Sequence, residues 1–257
     1  HHAAHNIEFQ DFLALPLGLP RFSAALNAAA AVHTAAYELC LEAGYVLTGV
    51  ADEGGWGPRL KSNEEALALL TRAIERAGYR PGEDVAIALD VASTHFYKDG
   101  VYHLRSEGRR LDADGMISQL AGWCARYPVL SIEDGLAEDY WPDWPELTRR
   151  LGGRAQLIGD DFFTTNLARV ERGIREGSAN AVLVKMNQIG TLTETLEVSG
   201  RALAAGWRAV ISARSGETED SFLADLAIAS GAGQIKVGSV TRSDRLAKWN
   251  RLLELEA

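Results

Sequence analysis

The amino-acid sequence predicts an α/β fold of the (β/α)8-barrel type, formed as a single domain over residues 1–257. Three observations predict it. Short apolar β-rich runs alternate with longer helical patterns along the whole chain. The runs are continuously apolar, as expected of parallel strands covered on both faces. Eight strand–helix repeats in 257 residues match the size of such a barrel.

The expected strands are residues 9–15, 45–50, 85–90, 129–133, 156–159, 181–185, 208–212 and 234–237. Helical patterns lie between them, among them 63–77, 166–176, 191–205 and 219–230. Residues 24–41 are Ala-rich and free of Gly and Pro, and also read as helix. An open doubly wound sheet is the competing arrangement, but no Gly-rich phosphate loop follows the first strand run.

Composition narrows the function classes. Lys plus Arg total 26 against 35 for Asp plus Glu, a formal charge of −9. No excess of cations is available for a phosphate backbone, which argues against nucleic-acid binding. An anionic small molecule is still compatible, because a local cationic pocket can sit in an acidic protein. No apolar run reaches the ~18 residues of a membrane helix, and no signal peptide is visible. Cys40 and Cys124 form no CxxC pair and read as reduced, buried thiols of a cytoplasmic protein.

The residues that close the strand runs carry the chemistry. In a barrel, the active site lies at the C-terminal ends of the strands. Here Asp90 closes the run 85–90, Glu133 and Asp134 follow Ile132, and Asp160 and Asp161 follow Gly159. Lys185 closes 181–185, Arg214 and Ser215 follow Ser212, and Lys236 follows Ile235. Three consecutive strands thus bring carboxylates to one rim, and later strands bring cations. Like charges gathered at one point repel unless something neutralises them. A hard divalent cation with oxygen ligands does so, and Mg2+ is common beside phosphorylated substrates. Solvated loop acids are the plainer alternative for any one of these residues, but not for three successive strands. A lysine at the end of a buried strand is costly unpaired. Burial and nearby cations lower its pKa and allow it to act as a general base. Lys185 and Lys236 both fit that description, with salt-bridge lysines as the alternative. Asp52-Glu53-Gly54-Gly55 reads as a turn that presents a carboxylate closely to a ligand.

In this order, the residues resemble enolase. AVLVKMNQIGTLTET at 181–195 is similar to the family's signature, and SARSGETED at 212–220 to its phosphate loop. GQIK at 233–236, SIED at 131–134, GDD at 159–161 and DEGG at 52–55 are similar as well. The resemblance spans essentially the whole chain and implies an enolase-type TIM (β/α)8 barrel. It implies that Asp90, Glu133 and Asp160 bind the catalytic Mg2+, that Lys185 removes the proton beside the carboxylate, and that Glu53 is the acid for the leaving β-hydroxyl. Arg214 and Ser215 would hold the phosphate, and Lys236 the substrate near the metal. Gln10 falls on the family's substrate-side glutamine, and Asp11 on the neighbouring substrate-side glutamate. His2 falls on the active-site histidine of a mobile loop, which outweighs reading His1–His5 as a tag remnant.

The resemblance implies phosphopyruvate hydratase, the glycolytic lyase that dehydrates 2-phosphoglycerate to phosphoenolpyruvate. Its substrate is a small phosphorylated carboxylic acid, and the chain is expected to form a homo-oligomer without nucleic-acid or membrane partners. Three departures stand out: Asp11 replaces glutamate, Ala213 replaces histidine, and His95 replaces glutamate. Asp11 and Ala213 cluster at the hydroxyl-leaving end. They motivate a second reading, a homologue with altered β-group chemistry such as a carboxyphosphonoenolpyruvate synthase of phosphonate biosynthesis. A non-catalytic binding protein on the same scaffold is the third. The family's smaller N-terminal lid domain has no counterpart in this sequence and is expected to be absent from this chain.

Overall fold

The computed structural model describes residues 6–257. Seven strands form one sheet: β1 (Asp11–Pro16), β2 (Val85–Asp90), β6 (Val129–Glu133), β7 (Gln156–Gly159), β8 (Ala181–Val184), β9 (Arg208–Ser212) and β10 (Ile235–Lys236), in that order. All neighbours are parallel except β1, which runs antiparallel to β2 with Asp11 opposite Asp90. Two helices in succession, α1 (Phe22–Glu42) and α2 (Asn63–Arg76), connect β1 to β2. A three-stranded antiparallel unit of β3 (Tyr97–Lys98), β4 (Val101–Leu104) and β5 (Arg109–Leu111) precedes α3 (Ala113–Arg126). Thereafter strands and helices alternate through α4 (Trp144–Leu151), α5 (Leu167–Glu176), the short α6 (Met186–Ile189), α7 (Leu192–Ala204), α8 (Phe222–Ala229) and α9 (Ser243–Glu256). Caps set several of these starts. Ser62, Asn166 and Thr191 each accept the backbone amide three residues on, satisfying a donor the first helical turn cannot.

The sheet is curled into a barrel, and side-chain contacts across it show this. Gln156 on β7 donates to Gln234, just before β10, at 3.0 Å, although β8 and β9 separate the two strands. The period of two along each strand then sorts residues into layers. Ile158, Ala181, Leu183 and Val210 form a small apolar cluster of their own inside the barrel. Ile87, Leu89, Ile132, Leu157, Val182, Val184 and Ile211 belong to the larger core shared with the helices. On the inner face the next residues along β2, β6, β8 and β10 are Asp90, Glu133, Lys185 and Lys236. The alternation that turns Leu183 and Ala86 inward and buries them therefore also delivers charge to the barrel mouth.

The expected strand at 45–50 does not form. Val50 makes only an isolated bridge with Trp56, and Val46 is 81% exposed. Loop contacts fill this place between β10 and β1. Ser239 donates to the Glu53 carbonyl at 2.7 Å, Thr241 donates to the Gly54 carbonyl at 2.8 Å, and the Asn6 amide group reaches the Leu60 carbonyl. The reason is that β10 pairs over only two residues and then turns at Gly238, where φ is 122°, so a full strand beyond it would lack a ladder. A Cβ at Gly238 would come within 2.8 Å of the Glu53 carbonyl oxygen, and glycine is what permits this close approach.

Among the described residues, no helix is long and apolar enough to cross a membrane. Both cysteines are buried and free. Burial pushes the Cys124 thiol up to about 11 and raises that of Cys40 as well. Because the thiolate is the nucleophile, neither group reacts with a disulfide reagent at pH 8 in the folded chain, and both react after denaturation. A thiol titration with and without denaturant checks this.

Candidate active site

At the mouth of the barrel two lysines reach inward among the strand-end acids. The Lys236 ammonium lies 2.7 Å from Asp90 Oδ2, and 2.8 and 2.9 Å from the two oxygens of Glu133. Asp90 and Glu133 are in register on adjacent parallel strands, so one ammonium can bridge them. The Lys185 ammonium pairs with Asp160 Oδ2, and the Lys185 amide donates to Thr165 Oγ1 at 2.9 Å. Gln10 donates to Asp90 Oδ2 at 3.2 Å. Gly159 sets the approach of Asp160: a Cβ there would meet the Phe163 ring at 2.4 Å, so only glycine lets β7 end against that ring.

The electrostatics follow from burial. Desolvation opposes ionisation of Asp90, but the charges of Lys236 and Lys185 and the hydrogen bonds from Lys236 and Glu133 together outweigh it and hold the carboxyl below the usual range. Glu133 is pushed well above the usual range, first by burial and then by the charge of Asp90. Burial also raises Asp160 despite Lys185. Burial works against the charge of Lys236 itself. The carboxylates of Asp90, Glu133 and Asp11 together overcome it and hold that ammonium well above ordinary lysine. The sequence-based reading of Lys236 as a lowered, base-like lysine is therefore corrected: acids, not cations, surround it, and it is a fixed positive charge. Glu53 is raised, first by burial, with Lys236 acting against this.

Gln10, Glu53, Asp90, Lys185, Ser212, Ala213, Ser215 and Lys236 line one open cavity of about 280 Å³ of empty space. Glu133 and Asp160 stand behind its lining, each one contact away through a lysine. Asp11 faces Asp90 across the β1–β2 ladder, and its charge acts on Lys236. Arg214 is exposed on the loop after β9 and is not among the residues lining the cavity. His95 is likewise exposed and outside the lining, and His2 lies outside the described residues.

Sequence reasoning gave no role to Asp134. It sits at φ 44° directly after β6 and accepts the amides of Asp160 at 2.9 Å and Asp161 at 2.8 Å. It fixes the end of β7 and thereby the direction of Asp160. Oxygens of Asp134, Asp160 and Asp161 all lie within 4.8 Å of one another, and this group could hold a metal ion. It shares only Asp160 with the expected ligand set.

A family model describing the C-terminal TIM barrel domain of enolase matches residues 1–257. The chain belongs to the enolase C-terminal barrel family. As an enolase-superfamily domain, it is a lyase or a related enzyme, and domains of this family typically bind a metal. The residues present fit a hard divalent cation. All donors are carboxylate oxygens, Asp160 Oδ1 is buried without a hydrogen-bond partner, and the three acids Asp90, Glu133 and Asp160 outnumber the two lysines between them.

Proposed function

We propose that this enolase barrel catalyses the magnesium-dependent dehydration of 2-phosphoglycerate to phosphoenolpyruvate. One observation carries the reading. A single cavity presents an inward lysine, a fixed ammonium and a raised carboxyl together, over three buried acids. Dehydration needs a base at the carbon beside the carboxylate, positive charge on that carboxylate, and an acid for the departing hydroxyl.

In this reading Asp90, Glu133 and Asp160 hold Mg2+, which supplies positive charge to the substrate carboxylate. Lys185 takes the α-proton. Lys236, kept protonated by its acid neighbours, faces the negative charge that develops. Glu53, which retains its proton to a higher pH than an ordinary carboxyl, gives it to the β-hydroxyl, and water leaves as the new double bond forms. Arg214 and Ser215 hold the phosphate, and Gln10 and Asp11 border the substrate. Absorbance at the phosphoenolpyruvate band tests the reading directly. Chelator-sensitive turnover of 2-phosphoglycerate with Mg2+ is the expected result. Protein that binds Mg2+ and exchanges the α-proton without making phosphoenolpyruvate would refute the second half of the reaction.

A second reading rests on Ala213. It lines the cavity, where the resemblance sets a histidine, and Asp11 is one methylene shorter than the glutamate it replaces. Both changes fall at the hydroxyl-leaving end. This favours a homologue that keeps proton abstraction but alters the β-group step, as a carboxyphosphonoenolpyruvate synthase does. Ala213→His is expected to raise hydratase activity about tenfold if only this proton-transfer assistance is missing. A rate unchanged by the substitution would support the altered chemistry.

A further inference from the structure

The side chain of Arg245, on α9, is fully buried, and its charged end reaches the cavity lining only through the backbone carbonyls of Ser215 and Val237. Its guanidinium donates to the carbonyls of Arg214 at 2.7 Å, Val237 at 2.7 Å and Ser215 at 2.6 Å, and pairs with Asp244 at 2.8 Å. One planar fork thus ties together the segment that follows β9 and the segment that follows β10. Lys248, one turn later on the same helix face, is also buried. Its ammonium reaches the Thr218 carbonyl, donates to the Asp244 carbonyl at 2.9 Å and lies 3.3 Å from Glu217 Oε2. Glu217 in turn accepts the Arg214 amide at 3.0 Å.

Burying two cations costs far more than an apolar pair would, so packing alone does not explain them. What they do is orient the backbone of the loop at 214–218. In a trans peptide the C=O and the following N–H point in opposite directions. Capturing the carbonyls of Arg214 and Ser215 on the α9 side turns the amides of Ser215 and Gly216 the other way. Among the described residues neither amide donates to a protein acceptor. Two successive outward amides form a concavity suited to an anion.

We propose that Arg245 and Lys248 are positioning residues that hold this loop in its anion-accepting form, and so set the affinity for the phosphate group of the substrate. The proposal rests on the functional reading above, which places that phosphate at Arg214 and Ser215. Arginine is required at 245, because a lysine keeps the charge but cannot serve carbonyls of two segments from one rigid fork.

Inorganic phosphate is the probe. In the wild-type chain with Mg2+, phosphate is expected to slow hydrogen exchange of the Ser215 and Gly216 amides. Arg245→Lys and Lys248→Met are expected to weaken phosphate binding by roughly 10–100-fold while leaving Mg2+ affinity as in the wild type, the size of loss typical of groups that orient direct contacts. Wild-type chain that binds no phosphate would overturn the phosphate end of the functional reading, and this proposal with it. Wild-type binding matched by equal affinity in folded Arg245→Lys would overturn the positioning role alone. Should Arg245→Lys not fold, the wild-type exchange decides: bound phosphate that leaves both amides unprotected overturns the arrangement.

Discussion

Lys185→Ala is expected to reduce exchange of the α-proton of 2-phosphoglycerate with solvent by about 10³-fold, within the range a positioned base contributes. Exchange is the right readout because it reports proton removal whether or not the hydroxyl then leaves. Lys185 is the inward residue immediately after β8, with Leu183 and Ala181 below it in the barrel interior. Its ammonium pairs with Asp160, and both side chains are largely shielded, at 13% and 10% exposure. Truncation therefore leaves a buried carboxylate without its partner, which destabilises the fold as well. A thermal melt recorded beside the exchange separates the two effects. Lys185→Arg sharpens the test, since a guanidinium keeps the charge near Asp160 but stays protonated and cannot accept the proton. If folded Lys185→Arg exchanges the α-proton at the wild-type rate, the base is another group. Deuterium incorporation followed by NMR measures each case.

The acids and lysines were legible in the sequence because they obey a local rule. A strand run buried on both faces is easy to recognise, and its last inward residue is fixed by counting in twos. The runs 85–90, 129–133, 156–159 and 208–212 match their strands residue for residue. The failure at 45–50 has the opposite origin. That run is apolar enough, but a strand exists only if a neighbour offers a ladder, and pairing is a non-local fact. The antiparallel direction of β1 was hidden for the same reason. Which lysine meets which acid was also not legible. The signs of the charges predict attraction, but Lys236 reaching Asp90 and Glu133 depends on how tightly the sheet curls. Arg245 and Lys248 were missed because Ser-Asp-Arg-Leu-Ala-Lys reads as the solvated face of a last helix. Only the fold shows that this face turns inward onto the loop after β9.

Removing Asp160 is expected to weaken Mg2+ binding at least ~100-fold, more than the loss seen for groups that merely orient a ligand. Its Oδ1 is a buried acceptor with no hydrogen-bond partner, and Asp134 holds its backbone in place through the amides of residues 160 and 161. Two carboxylate sets compete for the cation, and Asp160 belongs to both. One is Asp90, Glu133 and Asp160 around the cavity; the other is Asp134, Asp160 and Asp161. In the second set both oxygens of Asp134 already accept backbone amides, which lowers its capacity as a ligand. In the first, Lys236 occupies Asp90 and Glu133, so a cation must share or displace that ammonium. The first set is the expected one, because three carboxylates there face only two ammonium groups. Calorimetry on three variants distinguishes them. Asp160→Asn and Glu133→Gln are expected to lose Mg2+ affinity, while Asp161→Asn, whose side chain is exposed, retains it. Loss in Asp161→Asn with affinity kept in Glu133→Gln would move the metal to the aspartate cluster, and the assignment of Asp90 as a ligand would fall with it.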